Sequence, residues 1–332
     1  MKRTKSKQFN SLLKYLPEIF TCLSQSCLNE LCEIRIRAEK PVAVVFQNKT
    51  GFLTEKGRLT YFIAENLLTF SKEDVEKIFI RMCNYSVHSL TENISDGFVT
   101  LDGGCRVGVY GTAVTRSGGI VSVRNIEGLN IRIPGEYPGC SLPIYNSLFQ
   151  GETTNTVLCG PPMSGKTTVL RDLCRTLSDE RQKKIAVIDE RFEMSGFNLG
   201  FNTDILKGYP KSKGIEIAVR TLSPDIVICD EIGNLDEADR LCEVFNSGVS
   251  FIVTMHCRNT EELFNRPQFQ RLQLCNAIGA CVFLEKDNFN IKKIIRFGSD
   301  KHENNLPYCS ESCLYSGGEL HIAAARQKGS YT

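Results

Sequence analysis

The chain has 332 residues, of which 42% are hydrophobic and 23% are charged, and its formal net charge at pH 7 is +2. This length suffices for two domains of ordinary size, and the composition is typical of a folded globular protein. The near-neutral charge gives no reason to expect nucleic acid as the main partner, and no apolar run approaches the roughly 20 residues that cross a bilayer.

The cysteines indicate the compartment. All 15 are scattered, without a C-x-x-C pair, and several interrupt apolar runs, such as Cys159 in TVLCG and Cys229 in IVICD. A cysteine in such a run packs as a small apolar side chain. The first residues contain no secretory apolar region, and their basic start, MKRTKSK, is either a solvated terminus or a tail for lipid or nucleic acid. We therefore expect a cytoplasmic protein that meets a membrane only peripherally, through partners.

Residues 1–135 are predicted to form an α+β domain. FNSLLKYLPEIF has apolar residues at helical spacing, and EIRIRAEKPVAVVF alternates and then runs apolar as a strand does. Ser71 and Asp74 have the spacing of a capping box at the start of the helical segment SKEDVEKIFIRMC. Two glycine-rich, β-branched runs follow, and a hairpin turn is predicted at 102–104, where Asp102 precedes Gly103 and Gly104.

The rest of the chain has a different rhythm. Proline and glycine are dense between 136 and 150, which predicts a linker. Over 151–300, continuous apolar strands alternate with amphipathic helices, and this pattern predicts a parallel sheet covered on both faces. The end of that domain, CVFLEKDNFNIKKIIRF, is predicted to be a hairpin that turns at DNFN, and 301–332 is a polar tail.

A phosphate-binding loop is predicted where the first of these strands ends. GPPMSGKT fits G-x-x-x-x-G-K-[ST] without a mismatch, between an apolar strand and a helix. Glycine lets the backbone curl so that amides face phosphate oxygens, and the helix N-terminus adds unpaired N–H groups. The residues expected to bind ATP are Gly160, Pro161, Pro162, Met163, Ser164, Gly165, Lys166, Thr167 and Thr168. The alternative is a chance match in a strand-to-helix turn.

Acidic residues follow two of the later apolar strands. IVICDE ends in Asp230 and Glu231, which suits Asp230, with Thr167, for Mg²⁺ and Glu231 for polarising a water. IAVIDE ends in an acidic pair that includes Glu190, and Glu193 lies just beyond. Acids at strand ends also cap helices or face solvent, but two such sites downstream of one phosphate loop favour a catalytic edge.

His256 ends the strand FIVTMH, in the position of a γ-phosphate sensor. A histidine there could donate to the phosphate or to the glutamate that holds water. The alternative is a structural histidine.

Two families share these motifs. RTLSPDIVICDEIGN, GVSFIVTMH and VIDERFE resemble the apolar acidic strand, the histidine box and the acidic box of the secretion ATPases of type II secretion and type IV pili. The chain departs from them in having IDER for Glu-Asp-Pro and SPD for DPD. Over nearly its whole length, from EIRIRAEKPV and DGFVTLDGGCRVGVYGTAV to GPPMSGKTTVLRDLCR, it more closely resembles the stage III sporulation protein AA family.

These resemblances imply a P-loop RecA-like ATPase domain behind a smaller α+β domain, with ATP and Mg²⁺ as cofactors. The sporulation family implies a mother-cell motor that works with membrane proteins of a channel complex. Secretion ATPases imply a ring, which we expect to be a hexamer, and arginines that reach the nucleotide of an adjacent subunit. Arg106, Arg124 and Arg132 lie in the corresponding segment, and by analogy we favour the last two for this role; surface solvation or local ion pairs are the equal alternative.

Several alternatives stay open at this point. Glu190 and Glu193 compete with Glu231 as the residue that activates water. A nucleic-acid-stimulated motor could share the same core, and so could a scaffold in which ATP controls assembly without turnover. A small-molecule P-loop kinase is disfavoured because no arginine-rich lid follows the acidic strands.

Overall fold

The chain forms two compact units. The computed structural model describes residues 6–23, 25–47, 49–83, 97–101, 103–116, 119–286, 289–297 and 309–311. The N-terminal unit comprises Met1–Pro138 with Ser195–Phe197, and the C-terminal unit comprises Gly139–Met194 with Asn198–Thr332. Over the described ranges, no helix has the length and apolarity that a bilayer crossing requires.

The described part of the N-terminal unit holds a seven-stranded sheet. Its strands are β1 (Leu31–Arg37), β2 (Lys40–Phe46), β3 (Thr50–Leu53), β4 (Leu59–Thr60), β5 (Phe98–Thr100), β6 (Arg106–Arg116) and β7 (Gly119–Arg132). Their order is β4-β3-β2-β1-β7-β6-β5, and neighbouring strands are antiparallel. The described helices are α1 (Ser6–Leu13), α2 (Gln25–Leu28) and α3 (Lys72–Met82), with a 3₁₀ turn at Glu18–Cys22.

Alternation along β1 shows why this sheet has one buried face. Ile34 and Ile36 are fully buried in the core of the unit, whereas Glu33 and Arg35 lie on the other face. The antiparallel register sets Ile34 opposite Ile131 of β7, so that apolar residues of adjacent strands share the buried face. Together with the helices, this sheet makes the unit α+β.

The local signals in this unit hold where the structure describes them. The backbone N–H of Asp74 donates to the Ser71 hydroxyl oxygen at 3.2 Å, which confirms the predicted start of α3. The predicted hairpin joins β5 to β6, and Gly103 and Gly104 adopt φ of +86° and +75°, a region that favours glycine. Asp102 lies outside the described residues.

The C-terminal unit is built on a mostly parallel sheet, as predicted. Its described strands are β8 (Thr156–Gly160), β9 (Ile185–Asp189), β10 (Thr203–Lys207), β11 (Ile226–Cys229), β12 (Ser250–His256), β13 (Ala280–Leu284), β14 (Ile291–Phe297) and β15 (Cys309–Glu311). The order is β10-β9-β11-β12-β8-β13-β14-β15, with β14 and β15 antiparallel to their neighbours. The described helices are α4 (Leu142–Leu148), α5 (Lys166–Arg181), α6 (Lys211–Leu222), α7 (Leu235–Asn246), α8 (Thr260–Phe264) and α9 (Pro267–Leu274).

Four inner strands of this sheet are buried along their whole length. Every residue of β8, β9, β11 and β13 is buried, which explains their continuous apolar sequences. Cys159 and Cys229 are fully enclosed in β8 and β11, where burial raises the pKa of both thiols. Polar side chains are therefore concentrated where the strands end, at one edge of the sheet.

The segment expected to be a linker, 136–150, contains a helix. Within α4, Ile144 and Leu148 are buried. The carboxylate of Asp172 in α5 accepts hydrogen bonds from the backbone N–H of Gly139 at 3.1 Å and of Ser141 at 2.9 Å. Proline and glycine begin this segment, but the apolar side chains that follow give it a place in the fold.

At the end of the chain the hairpin follows its prediction where it is described, whereas the described part of the tail does not. β13 and β14 form the predicted antiparallel hairpin, although Asp287 and Asn288 at its turn lie outside the described residues. Within the polar tail predicted for 301–332, the structure describes Cys309–Glu311, which pair with β14 as β15.

Candidate nucleotide-binding site

The predicted phosphate loop connects β8 to α5. Met163 and Gly165 adopt φ of 64° and 85°, so the backbone reverses twice before α5 begins at Lys166. A Cβ on Gly165 would lie 2.5 Å from the ring of Phe289, so only glycine fits there. The loop therefore has the curled backbone that presents amides to an anion.

Lys166 lies beneath this loop and is only 5% exposed. Its ammonium donates to the carbonyls of Gly160 and Pro161 and to Nδ1 of His256, each at 2.9 Å. Burial lowers the pKa of Lys166, although the nearby carboxylates of Asp230 and Glu231 oppose this shift. Because a charged ammonium can only donate, Nδ1 of His256 accepts, and the ring proton then belongs on Nε2.

Asp230 follows β11 and is held by hydroxyl groups. It accepts from Thr167 at 3.0 Å and from Thr254 at 2.8 Å, and the backbone N–H of Glu231 donates to it at 3.0 Å. Burial opposes the charge, but hydrogen bonds from Glu193, Thr254, Glu231 and Thr167 hold the pKa of Asp230 below its ordinary value. Asp230 and Thr167, the two predicted metal ligands, are thus in direct contact.

Glu193 meets Asp230 from the loop that follows β9. The carboxylate of Asp189 accepts from the backbone N–H of Glu193 at 2.8 Å and of Met194 at 3.1 Å, which folds this loop back on the strand end. The Glu193 carboxyl hydrogen-bonds to the Asp230 carboxyl. Two ionised carboxylates in hydrogen-bonding contact repel each other, and a shared proton or a cation relieves that repulsion.

Glu231 points to a different set of neighbours. Its Oε2 is 3.6 Å from Nε2 of His256 and 3.6 Å from Nη1 of Arg191. Its backbone N–H donates to the Thr254 hydroxyl at 3.0 Å. The side chain is 37% exposed, so the carboxylate is positioned by cationic and imidazole groups yet remains open to solvent.

Glu190, the third candidate base, is paired elsewhere. Its Oε2 is 3.3 Å from Nζ of Lys211, which is only 7% exposed and also lies 4.0 Å from Oε1 of Glu237. Glu190 therefore neutralises a buried ammonium at the start of α6.

A cavity of about 320 Å³ joins these groups, a size within the range of ligand sites. Its lining includes the predicted residues Met163, Gly165, Lys166, Thr167, Thr168, Glu190, Glu193, Asp230, Glu231 and His256. Gly160, Pro161, Pro162 and Ser164 lie in the loop behind that lining. The whole lining comes from the C-terminal unit.

The two predicted arginine fingers belong to the N-terminal unit. Arg124 lies on β7 and is exposed. Arg132 ends the same strand, is 74% exposed, and has its Nε 3.8 Å from Oε2 of Glu33.

Besides Ile188 and Asp189, which belong to β9, the cavity lining contains three residues that sequence reasoning missed. Thr254 lies two residues before His256 on β12, so strand alternation could have placed both on one face. Arg191 directly follows the acidic pair that ends IAVIDE. In the sequence it stood out only as part of IDER, the segment that departs from the secretion-ATPase pattern. Lys211 carries no local signal, because its role depends on the ion pair with Glu190.

The donor set fits a nucleotide with its divalent cation. The Ser164 hydroxyl is buried in the loop and has no hydrogen-bond partner among the residues that the structure describes. Thr167 and Asp230, joined by Glu193, offer the oxygen atoms that Mg²⁺ prefers. Hydroxyl, ammonium and carboxylate groups, the types that bind phosphate and its cation, thus line one cavity.

The sheet order and this loop define the chain as a P-loop protein of the RecA-like ATPase fold. That fold is shared with the pilus retraction motor PilT, solved with bound ADP, at a TM-score of 0.50 and 17% identity over 76% of this chain and 74% of that one. The chain belongs to the family described as sporulation stage III, protein AA, whose model matches residues 3–294.

Relatives by sequence support the same family. Stage III sporulation protein AA of Bacillus subtilis (strain 168) is 35% identical over 254 residues, which cover 73% of this chain and 78% of that protein. An uncharacterised ycf45 protein of Cyanidium caldarium is 30% identical over 167 residues, 47% of each chain. The second likeness covers too little of either chain to carry an activity across.

Proposed function

We propose that this protein is an ATP-hydrolysing motor of the secretion-ATPase type that energises a sporulation channel complex from the mother-cell cytoplasm. The observation that carries the proposal is the convergence of Lys166, Asp230 and Glu231 in one cavity. A phosphate-binding cation, a metal-binding carboxylate and a carboxylate open to water are the parts that phosphoryl transfer to water requires.

The binding roles follow from the contacts. The loop amides and Lys166 would hold the β- and γ-phosphates, and Thr167 and Asp230 would hold Mg²⁺, which neutralises phosphate charge when bound. Glu193, hydrogen-bonded to Asp230, is placed to complete that carboxylate set rather than to activate water.

Among the three acids, the geometry favours Glu231 as the water-activating residue. Glu190 is paired with the buried Lys211 ammonium and Glu193 with Asp230, whereas Glu231 lies beside His256, which in turn contacts Lys166. His256 lies between Lys166 and Glu231, so it can report on the phosphate and orient the base.

Assembly forms the second part of the proposal. The fold shared with PilT supports a ring, which we propose to be a hexamer, in which Arg124 and Arg132 serve the nucleotide of an adjacent subunit. Family membership supports work in sporulation, where membrane proteins of the channel complex would be the partners and would hold the motor at the membrane surface.

The test is phosphate release from ATP with Mg²⁺, measured together with nucleotide binding. We expect Lys166→Ala to lose both, and Glu231→Gln to lose turnover by roughly 10²-fold or more while it keeps binding. Lys213→Ala is the matched control, because Lys213 is an exposed lysine that pairs with Glu216 on α6.

Three outcomes would contradict the proposal. Binding without turnover in the native chain, with Glu231→Gln active in sporulating cells, would indicate a scaffold. Turnover that requires single-stranded DNA or RNA would indicate a nucleic-acid motor. A chain that stays monomeric at high concentration with ATP and Mg²⁺, measured by light scattering, would exclude the ring.

A further inference from the structure

Among the described residues that line the cavity, Arg191 is the one arginine, and the proposed function gives it no role. Its side chain is 66% exposed, and its Nη1 lies 3.6 Å from Oε2 of Glu231. This distance is an ion pair without a close hydrogen bond. The guanidinium therefore lies near the Glu231 carboxylate, but it can leave this carboxylate for a group that binds it more strongly.

The loop that carries Arg191 is fixed at both ends. Asp189 is only 3% exposed and accepts backbone hydrogen bonds from Glu193 and Met194. Phe192 adopts a left-handed φ of 56°, and its ring lies 3.2 Å from where a Cβ of Gly208 would be. Such a conformation persists only where the surroundings hold it. The backbone thus directs the Arg191 side chain toward the cavity, while this long, exposed side chain can still change its conformation.

A chain of contacts links Arg191 to the phosphate-binding lysine. Arg191 faces Glu231, Glu231 faces Nε2 of His256, and Nδ1 of His256 accepts from Lys166. All three donors of the Lys166 ammonium are engaged, by His256 and by two loop carbonyls. In this arrangement Lys166 is held by the loop carbonyls and His256, and the charge of the solvent-exposed Glu231 carboxylate is balanced by Arg191.

We propose that Arg191 is a γ-phosphate sensor within its own subunit, which pairs with Glu231 until ATP is bound and then moves to the γ-phosphoryl oxygens. A phosphate carries more charge than one carboxylate and offers a guanidinium two parallel hydrogen bonds. The exchange frees the Glu231 carboxylate to accept a proton from water. This inference rests on the proposed function, because it assigns a further residue to the same site.

The experiment compares two nucleotides. Binding of ADP and of the non-hydrolysable ATP analogue AMP-PNP, both with Mg²⁺, is measured by calorimetry for the native protein and Arg191→Ala. We expect ADP affinity to change less than about 2-fold and AMP-PNP affinity to fall about 10-fold, as loss of a charge-assisted hydrogen bond predicts. Turnover should fall roughly 10³-fold, the lower range for an arginine at a transferring phosphoryl group.

Two further variants separate sensing from general support of the cavity. Glu231→Gln removes the competing charge, so AMP-PNP should bind it more tightly than it binds the native protein, and Arg191→Ala in that background should abolish the gain. Arg191→Lys keeps the charge but loses the paired hydrogen bonds, so its AMP-PNP affinity should fall between those of the native protein and Arg191→Ala.

The matched control is Arg220→Ala, because Arg220 is 74% exposed and pairs with Glu216 outside the cavity. It should bind both nucleotides as the native protein does. Equal losses for ADP and AMP-PNP in Arg191→Ala, or no loss for either, would overturn the inference but would not contradict the proposed function, because the native protein still binds nucleotide. A native protein that binds neither nucleotide would instead contradict the proposed function itself.

Discussion

The two sheets distribute their polar residues in different ways. In the N-terminal unit, charged side chains alternate with buried ones along β1, so polar groups such as Glu33 and Arg35 lie along the length of the strand. In the C-terminal unit the strands β8, β9, β11 and β13 are buried throughout, and most polar groups of the site lie at or beyond the strand ends, as Asp230 does after β11. A sheet that is covered on both faces therefore concentrates its chemistry at one edge, whereas a half-exposed sheet spreads it out.

The largest change in stability is expected when an asparagine side chain is introduced into the C-terminal sheet, and the same side chain in the N-terminal sheet tests the comparison. Ile228→Asn buries an unpaired polar group in β11, which is enclosed on both faces, and should lower the free energy of unfolding by roughly 3 kcal/mol or more. Arg35→Asn on the exposed face of β1 should change it by less than about 1 kcal/mol. Urea unfolding monitored by circular dichroism measures both, and equal losses would contradict the comparison.

A smaller effect is expected at Asp172, a buried carboxylate of the C-terminal unit. Burial opposes its charge, but hydrogen bonds from Arg175, Ser141 and Gly139 hold its pKa below the ordinary value. Asp172→Asn should therefore cost about 2 kcal/mol of unfolding free energy at neutral pH.

This difference should depend on pH in a defined direction. Because the folded pKa is lowered, the stabilisation is complete above the unfolded pKa, about 3.9 for aspartate, and is lost as pH falls through the lower folded value. Unfolding of the native protein and Asp172→Asn, compared at neutral and acidic pH, checks this. Asp236→Asn, at an exposed aspartate in the first turn of α7, is the control. A gap that widens toward acid would refute the assignment.

A helix cap in the N-terminal unit should contribute less. Ser71→Ala removes the hydroxyl oxygen that accepts from the backbone N–H of Asp74, which should cost about 1 kcal/mol. Ser71→Asp keeps an acceptor and should restore most of the loss. The midpoint of urea unfolding measures both variants, and a loss in Ser71→Ala that aspartate does not recover would show that the cap contributes little.

The smallest effect on stability is expected at Arg132. Its pair with Glu33, at 3.8 Å and 74% exposed, should contribute less than about 0.5 kcal/mol. Arg132→Ala should thus unfold as the native protein does, so that any loss of turnover in the assembled protein reports on the proposed finger role. A marked drop in thermal stability would instead show a structural role for this arginine.

The sequence predicts elements whose signal is local. The phosphate loop is defined by eight consecutive residues, GPPMSGKT, and the buried strands are defined by runs such as IAVID. β10 was missed because Thr203–Lys207 mixes charged and apolar residues, and its strand pairing with β9 comes from the tertiary fold. Helix α4 was missed because proline and glycine dominate the start of its segment.

The site shows the same limit. Sequence alone proposes three acids without a rank, because their order depends on neighbours that are distant in the chain. Lys211, 21 residues after Glu190 in sequence, is what engages that acid, and no spacing rule links the two. Arg191 stands beside predicted residues, yet its relation to Glu231 appears only when β9 and β11 are adjacent in the sheet.

The hydrogen bonds that Asp172 accepts have a mechanical consequence. Asp172 belongs to α5, the helix that starts at Lys166. Its carboxylate accepts hydrogen bonds from the backbone N–H groups of Gly139 and Ser141, where the C-terminal unit begins. If the proposed hydrolysis tilts this helix, the displacement reaches the first residues of the C-terminal unit through these two hydrogen bonds.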